Sequence, residues 1–120
     1  MRAIVTGGSR GIGKAIADFL RFAYEVKTIG RGEDNDIRAD LTVSHDGLIR
    51  EPVDVLVNCA GFQHIAPAAY YSMTEWYRQM EMMSAYFDLS RQAWMNGARR
   101  IINIASAAGM RGTRGCVGYS

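Results

Sequence analysis

A glycine-rich segment near the N-terminus has the residue types and the spacing of a phosphate-binding loop. Residues 6–13 read TGGSRGIG and lie between an apolar run and an amphipathic run. Gly7 permits a tight turn, Gly11 lets the backbone approach an anion, and Gly13 lets a helix pack close to a sheet. The N–H groups at the start of that helix then attract a diphosphate. The alternative is a flexible loop without a ligand. The predicted ligand-binding residues of this loop are Gly7, Ser9, Arg10, Gly11, Ile12 and Gly13.

The segments around this loop are predicted to be alternating strands and helices. Short β-branched and apolar runs predict strands at 2–6, 25–29, 53–57 and 100–105, and a weak one at 36–39. Helical spacing of apolar residues predicts helices at 11–24 and 74–96, and a short helix at 44–50 with Ser44 as its N-cap. Gly97 follows the long helix, where a left-handed C-cap favours glycine.

This order of elements predicts an α/β fold, a Rossmann-like doubly wound parallel sheet of about five strands in the order 3-2-1-4-5. Near-continuous apolar strands indicate a sheet that is covered on both faces. The link at residues 30–35 is much shorter than the dozen or more residues that a parallel crossover normally needs. Either the crossover helix has become a loop, or the third run is not a strand.

The composition is that of one ordinary globular domain covering residues 1–120. The chain is 48% hydrophobic and 22% charged, and its formal net charge of +2 is too small to indicate nucleic acid or an anionic membrane surface. No run is long enough to span a membrane and no leader-like segment opens the chain, so a cytoplasmic location is expected. Cys59 and Cys116 are not spaced as metal ligands and are predicted to be buried free thiols. No metal site is predicted.

Five motifs, in order, resemble the short-chain dehydrogenase/reductase family. The loop has that family's Gly-x-x-x-Gly-x-Gly spacing after a threonine. Asp40-Leu41 follows the third predicted strand, and residues 58–61 read NCAG where the family has Asn-Asn-Ala-Gly. Ser106 ends the motif that closes the last strand, and Tyr119 follows it by thirteen residues, as in the family's Ser and Tyr pair. The resemblance spans essentially the whole chain.

The resemblance implies an NAD(P)-dependent oxidoreductase that moves a hydride between nicotinamide and a carbonyl or alcohol substrate. In that family a tyrosine is the general acid/base and a serine holds the substrate oxygen, so these roles fall to Tyr119 and Ser106. The family's Asp at the position of Asp40 contacts adenine. The implied cofactor contacts outside the glycine loop are Asp40, Leu41, Asn58, Ala60 and Gly61.

Two departures from the family pattern concern the proton relay. The family's lysine stands four residues after the tyrosine, and this chain ends at Ser120. An asparagine that holds the relay water stands in the family about where this chain has Met82 or Met83. The resemblance therefore implies a shortened form that lacks the family's C-terminal part. The alternative is a non-catalytic nucleotide-binding or interaction module derived from the same fold.

The charges after the second predicted strand favour NADP(H) over NAD(H). An acidic residue at the end of that strand accepts hydrogen bonds from the ribose hydroxyls in NAD-binding members. Gly30 occupies this position, Arg31 follows it, and Arg10 lies in the glycine loop. Two guanidinium groups near one ribose suit a 2′-phosphate. Glu33 and Asp34 are near enough to keep NAD(H) possible.

The long helix carries two apolar stripes. A helix that is apolar on two faces often has a partner, and an apolar edge strand at 100–105 invites pairing with another chain. A homo-oligomer through the 74–96 helix or the 100–105 strand is therefore predicted, while the sequence does not indicate which small carbonyl or alcohol compound is the substrate. One stripe holds Trp76, Met80, Met83, Phe87 and Trp94, and the other holds Tyr86, Leu89 and Ala93.

Overall fold

The computed structural model describes residues 1–120 and contains a five-stranded parallel sheet with one helix on each face. The strand order is β3-β2-β1-β4-β5, and every neighbouring pair is parallel. The predicted Rossmann-like fold and its strand order are therefore confirmed. The strands are β1 (Arg2–Thr6), β2 (Glu25–Gly30), β3 (Ile37–Arg38), β4 (Val55–Asn58) and β5 (Arg100–Asn103), and the helices are α1 (Gly11–Leu20) and α2 (Met73–Met95). Two single 3-10 turns cover Ala68–Tyr70 and Ala107–Gly109.

Each face of the sheet has its own apolar core. Side chains alternate along a strand, so neighbouring residues of β1 and β4 enter opposite cores. Ala17 of α1 packs with one set and Leu89 of α2 packs with the other. The α1 core contains Ala3, Val5, Ala17, Val55 and Val57, and the α2 core contains Ile4, Ile29, Leu41, Ile49, Val53, Leu56, Ala85, Leu89, Ala93 and Ala98.

Helix α1 ends four residues before the predicted end at Tyr24. The N–H groups of Ala23 and Tyr24 both bond to the Leu20 carbonyl, which closes a turn after the helix. The chain must turn here because Glu25 pairs with Arg2 of β1. The apolar spacing that predicted a longer helix also places Tyr24 against the α1 core, where it packs from the turn.

The helix predicted at 44–50 is absent, and that prediction was wrong. Gly47 has a φ of +59°, which interrupts a right-handed helix. Gln92 of α2 donates from Nε2 to the His45 carbonyl at 2.8 Å and accepts at Oε1 from the Ile49 N–H at 3.0 Å. Side chains of α2 therefore bond backbone groups that a helix would have bonded internally.

The crossover between β2 and β3 is a loop, which decides between the two alternatives left by the sequence. Only residues 31–36 join the two strands. The Asp36 carboxylate accepts from Thr28 N at 2.8 Å and from Thr28 Oγ1 at 3.1 Å, and Asp36 N donates back to Thr28 Oγ1 at 3.2 Å. Asn35 is buried against Gly30, where an added Cβ would lie 2.8 Å from the Asn35 amide. Side-chain bonds thus replace a crossover helix.

Helix α2 lies within one residue of its predicted bounds. Ser72 is its N-cap and accepts at Oγ from Glu75 N at 3.4 Å. Gly97 has a φ of +96°, as predicted for the residue after the helix, and Ala98 N bonds back to the Ala93 carbonyl. The boundaries of β2 to β5 differ from the predictions by one or two residues, which is the usual scatter of strand ends.

The structure distinguishes the two apolar stripes of α2. Leu89 and Ala93 are fully buried against the sheet, whereas Met83, Phe87 and Trp94 are mostly exposed. All four residues of β5, the outermost strand on this side, are exposed as well. None of the helices combines the length and apolar character that a bilayer crossing requires.

Candidate cofactor-binding site

The glycine loop is a tight turn between β1 and α1. Gly7 has a φ of +67°, a left-handed conformation that favours glycine, and its N–H bonds to the Ile29 carbonyl of β2. A Cβ at Gly13 would overlap the Gly7 carbonyl group and lie 2.7 Å from its carbon. The first turn of α1 therefore rests directly on the loop, as the glycine spacing predicted.

The start of α1 has free backbone donors. Its N-cap, Arg10, is extended and makes no side-chain capping bond, and the first turn contains no acidic residue. The first N–H groups of a helix have no intrahelical partner, and the helix dipole adds partial positive charge at the same end. This end of α1 can therefore bind an anionic group such as a diphosphate.

A cleft of about 1200 Å³ opens at the carboxyl ends of the strands, beside the glycine loop. It lies where the strand order reverses between β1 and β4, the usual ligand position in doubly wound sheets. The structure brings almost all the predicted site residues together here. The predicted residues that line the cleft are Gly7, Ser9, Arg10, Gly11, Ile12, Gly13, Arg31, Asp40, Leu41, Ala60, Gly61, Ser106 and Tyr119.

Asp40 and Leu41 form one wall of the cleft, which we call the adenine wall after the contact that the family resemblance implies for Asp40. The Asp40 carboxylate accepts from Thr42 N at 2.9 Å and from Thr42 Oγ1 at 2.6 Å. Burial opposes ionisation of Asp40, but the bonds from Thr42, with the nearby Arg31 and Arg78, outweigh it and lower the pKa of the carboxyl group. Leu41 is buried in the α2 core, so the wall is anchored from behind.

The segment after β4 is fixed to the glycine loop by Thr6. Thr6 Oγ1 accepts from Cys59 N at 2.9 Å and from Ala60 N at 3.0 Å. Cys59 and Cys116 are both free thiols, and Cys116 is buried while Cys59 is half-buried in the cleft wall. Burial raises the pKa of the Cys59 thiol, which keeps it protonated at neutral pH.

Asn58 is the one predicted cofactor contact that does not line the cleft. Its side chain is fully buried, and Nδ2 donates to the Tyr86 carbonyl, to Ser90 Oγ and to Asn103 Oδ1. These bonds join β4 to α2 and to β5. In this structure Asn58 holds the neighbouring elements together behind the site.

Ser106 and Tyr119 both face the cleft, as the spacing of the pair led us to expect. Ser106 Oγ accepts from Ala108 N at 3.2 Å, so the hydroxyl keeps its own proton for donation to a bound oxygen. Tyr119 is partly buried and lies on the turn that Tyr119 N closes with the Cys116 carbonyl. A hydroxyl donor and a phenol thus meet the same cavity as the glycine loop.

Three residues of α2 line the cleft and were not predicted as site residues. Tyr86 donates from its hydroxyl to the Ala60 carbonyl at 2.8 Å, and burial raises the pKa of Tyr86 to about 12, with Cys59 and Tyr119 adding to the effect. Met82 also lines the cleft, whereas Met83 points outward and is 60% exposed. Met82 and Tyr86 are four residues apart, so they lie on one helix face. Once Met82 is placed in the cleft wall, this spacing places Tyr86 there as well.

Arg78 is the third of these residues and adds a cation to the cleft. Its guanidinium lies 4.8 Å from the centroid of the Phe62 ring and bonds to both carboxylate oxygens of Glu75. Phe62 follows Gly61 and lines the cleft as well.

A strand–loop–helix unit with open N–H groups at such a cleft defines a dinucleotide-binding type of α/β protein.

The chain belongs to the short-chain dehydrogenase family, whose family model, described as short chain dehydrogenase, matches residues 36–120. It is similar to acetoacetyl-CoA reductase of Rhizobium meliloti (strain 1021), with 33% identity over 146 residues that cover 98% of this chain and 60% of that protein. It is also 30% identical to gluconate 5-dehydrogenase of Gluconobacter oxydans (strain 621H), over 88% of this chain and 53% of that protein.

Solved structures show the same likeness. A structure from Beutenbergia cavernae with NADP bound at low occupancy has a TM-score of 0.85 and 30% identity, over 98% of this chain and 59% of that one. The TT0495 protein from Thermus thermophilus has a TM-score of 0.87 and 28% identity, over 98% of this chain and 62% of that one. This chain therefore spans about 60% of the length of the relatives it matches.

This chain is also internally shorter than its relatives. An alignment of 146 positions with a chain of 120 residues leaves at least 26 positions where this chain has no residue. The structure has two helix-free links, at 31–36 and 39–54, where doubly wound folds ordinarily carry crossover helices. The adenine wall lies at the start of the second link.

Proposed function

We propose that this chain is the cofactor-binding part of an NAD(P)-dependent oxidoreductase of the short-chain dehydrogenase type. The observation that carries the proposal is the single cleft shared by the glycine loop, Ser106 and Tyr119. The free N–H groups of α1 and the overlap that a Cβ at Gly13 would cause fit a diphosphate held close to the backbone. When bound, the dinucleotide supplies or accepts the hydride.

The side chains of the cleft have separate tasks in such a reaction. The Ser106 hydroxyl donates a hydrogen bond to the substrate oxygen and orients the carbonyl carbon. The Tyr119 hydroxyl gives its proton to that oxygen during reduction and takes it back during oxidation. Tyr86 stays protonated, because its hydroxyl is buried on the Ala60 carbonyl, and it holds the segment after β4 in place.

Binding and turnover test the proposal separately. NADPH and NADH are titrated against the purified chain by calorimetry, and consumption of each is then followed with acetoacetyl-CoA or 5-ketogluconate, compounds chosen from the names of the relatives. Ser106→Ala and Tyr119→Phe should leave cofactor affinity unchanged and remove turnover. A chain that binds neither dinucleotide would contradict the proposal.

One observation favours a second candidate, a nucleotide-binding module without catalysis. Met82 occupies the cleft wall about where the family has its relay asparagine, and a thioether cannot hold a water as an amide does. This candidate predicts cofactor binding without turnover. Met82→Asn is the matched variant. If the wild-type chain binds cofactor without turnover and Met82→Asn turns over, then Met82 causes the loss of activity.

We further propose that NADP(H) is the preferred cofactor and that NAD(H) is the weaker one. Arg10 and Arg31 line the cleft, and the structure pairs neither with a carboxylate, whereas Glu33 pairs with Arg38. Asp34 also reaches the cleft and keeps NAD(H) possible. Arg31→Ala should weaken NADPH binding roughly tenfold, because it removes one charge-assisted bond to the 2′-phosphate, and leave NADH binding unchanged.

The control for Arg31→Ala is Arg99→Ala, which removes an exposed arginine at the opposite ends of the strands. It should leave both affinities at the wild-type value. A preference for NADH in the wild-type chain, or equal losses for both cofactors in Arg31→Ala, would contradict the assignment of the 2′-phosphate to this arginine.

We also propose that the exposed stripe of α2, with β5 beside it, mediates self-association. Met83, Phe87 and Trp94 are each exposed by 60% or more, and a contiguous apolar surface of this kind marks an interaction site. Phe87→Lys should shift the chain toward the monomer in analytical ultracentrifugation, and a wild-type monomer at high concentration would contradict the proposal. The cytoplasmic location stays a prediction from the sequence.

A further inference from the structure

His45 forms a bridge between the segment after β3 and helix α2, outside the cleft. Its Nδ1 lies 2.8 Å from Asp88 Oδ2, and its Nε2 lies 2.8 Å from Glu81 Oε1. The two carboxylates stand seven residues apart, or two turns, on the same face of α2. The His45 side chain is only 12% exposed, so both of its polar atoms depend on these partners.

The arrangement favours a charged imidazole. A neutral ring has one N–H and one lone pair, so it can donate to one carboxylate only and turns its lone pair toward the other. A charged ring donates to both. Burial disfavours the charge, but the bonds to Asp88 and Glu81 outweigh burial, and the pKa of His45 is raised.

The charged groups around the ring come from two elements. Helix α2 contributes Glu81, Asp88 and Arg91. Nη2 of Arg91 donates to Asp88 Oδ1 at 2.6 Å. The segment itself contributes Asp46, whose carboxylate reaches within 4.8 Å of the His45 and Asp88 ligand atoms. Three carboxylates and one guanidinium leave a net negative surrounding, which favours the His45 cation and is only partly offset by it.

Further bonds extend the bridge along α2. Gln92 bonds to the His45 carbonyl and to Ile49 N, and Asn96 Nδ2 donates to the Ile49 carbonyl at 3.0 Å. Segment 40–50 is therefore docked onto α2 by side chains instead of by its own helix. The docked segment begins with the adenine wall.

A hydrogen-bonded turn joins the adenine wall to His45. The Asp40 carbonyl accepts from Val43 N and from Ser44 N, both at 3.0 Å, and Ser44 directly precedes His45. Leu41 packs in the same core as Leu89 of α2. These bonds couple the position of His45 to the backbone that carries Asp40 and Leu41.

We propose that His45 is a positioning residue for the cofactor. Its charged ring, held between Glu81 and Asp88, fixes segment 40–50 on α2 and thereby fixes the adenine wall. Loss of the His45 proton removes one of the two bonds, loosens the wall and weakens cofactor binding. This inference rests on the proposed function, because it needs a dinucleotide in the cleft, and it adds a proton-linked control of that binding.

Thermodynamic linkage gives a test that a merely structural histidine would not pass. If protonation of His45 strengthens cofactor binding, then bound cofactor raises the pKa of His45 by the same free energy. Coupling of about fivefold, the low end of the usual range between sites, corresponds to a rise of about 0.7 in the measured pKa. The chain labelled with ¹³C and ¹⁵N at histidine is titrated by NMR alone, with saturating NADPH and with saturating NADH.

His64 is the chain's other histidine, and His64→Gln assigns the two histidine resonances. NADH has no 2′-phosphate, so a rise of the His45 pKa with both cofactors excludes the titration of that phosphate as its cause.

Two variants locate the effect. His45→Gln should bind the cofactor about fivefold more weakly than wild type at a pH below the wild-type His45 pKa, and equally at a pH above it. Glu81→Gln removes one of the two charges that hold the proton. Glu81 is 41% exposed, so this milder change should keep the fold while the cofactor-induced rise becomes smaller.

The outcomes separate this inference from the proposed function. Cofactor binding with an unchanged His45 pKa would overturn the positioning role and leave the proposed function intact. Absence of binding at every pH would overturn both. An equal loss of affinity in His45→Gln at all pH values would show a structural residue without proton linkage, and would also overturn the inference.

Discussion

The two sides of the cleft are built in different ways. The glycine loop owes its shape to local backbone features: a left-handed Gly7, a close approach at Gly13 and an uncapped helix end, all within eight residues. The adenine wall is held by side chains that come from α2, more than forty residues away in sequence. A site can therefore have one side where Gly13 leaves no room for a Cβ and another side that depends on a network of polar bonds.

The largest expected effect is on the loop side. Gly13→Ala places a Cβ against the Gly7 carbonyl group, which must move, and forced overlap of this kind costs about 3 kcal/mol in unfolding free energy. Cofactor binding should be lost in calorimetry. Gly109→Ala is the control, because nothing lies within 4 Å of its added Cβ, and its stability and binding should match wild type. Unchanged binding in Gly13→Ala would show that the loop adapts.

The next effect concerns Asp88 and its dependence on pH. The hydrogen bond from His45, with those from Arg91 and Gln92, outweighs burial and lowers the pKa of Asp88 to about 2 from an ordinary 3.8. The ionised carboxylate should therefore add about 2 kcal/mol to folding above pH 4, and this is lost as the pH falls toward 2.

Urea unfolding of wild type and Asp88→Asn between pH 2 and pH 9 measures the contribution of the ionised Asp88 carboxylate to stability. The difference in unfolding free energy should be largest near pH 5 and should close toward pH 2. It should also shrink as the pH rises through the raised pKa of His45, because the neutral ring no longer donates to both carboxylates. A difference that does not vary with pH would contradict the ionic bridge.

A smaller effect is expected from Gln92→Ala. The variant leaves the His45 carbonyl and Ile49 N without partners, which should cost about 1.5 kcal/mol. Hydrogen exchange should show faster exchange at residues 40–50 and no change at residues 7–13. Ser84→Ala on the exposed side of α2 should change neither region. Equal loss of protection in both regions would show that the two sides are not independent.

The smallest effect is expected at the β2–β3 crossover. Asp36→Ala removes both side-chain bonds to Thr28 and should lower the unfolding free energy by about 1 kcal/mol. Glu33→Ala in the same loop is the matched control, because its carboxylate is exposed and lies 3.8 Å from Arg38. If the two variants are equally stable, the Asp36 carboxylate does not replace the missing crossover helix.

The contrast also explains what the sequence could predict. The strand, the glycine loop and the start of α1 are encoded by neighbouring residues, so their positions were predicted correctly. The backbone conformation of residues 44–50 depends on Gln92 and Asn96, which lie 43 and 47 residues from Ile49. Ser44 as an N-cap and a stop before Pro52 predicted a short helix there, whereas Gly47 and long-range side-chain bonds give a different backbone.

The candidate site likewise combines residues that local motifs identify and residues that long-range packing places. The glycine loop, Ser106 and Tyr119 could be named from motifs and their order. Arg78 could not, because it enters the cleft from a long helix whose orientation depends on packing, and Tyr86 could be placed only through its four-residue spacing from Met82. Asn58 belongs to a motif, but its full burial became apparent only from the bonds that join it to α2 and β5.

The six-residue crossover between β2 and β3 has a consequence for the order in which the chain assembles. Thr28 and Asp36 are eight residues apart, whereas the bond from Arg2 of β1 to Asp54, the residue before β4, spans 52 residues. Closing the short loop costs little chain entropy, so contacts across it can form early. We therefore expect the edge of the sheet at β2 and β3 to nucleate first and the central β1–β4 pair to close later.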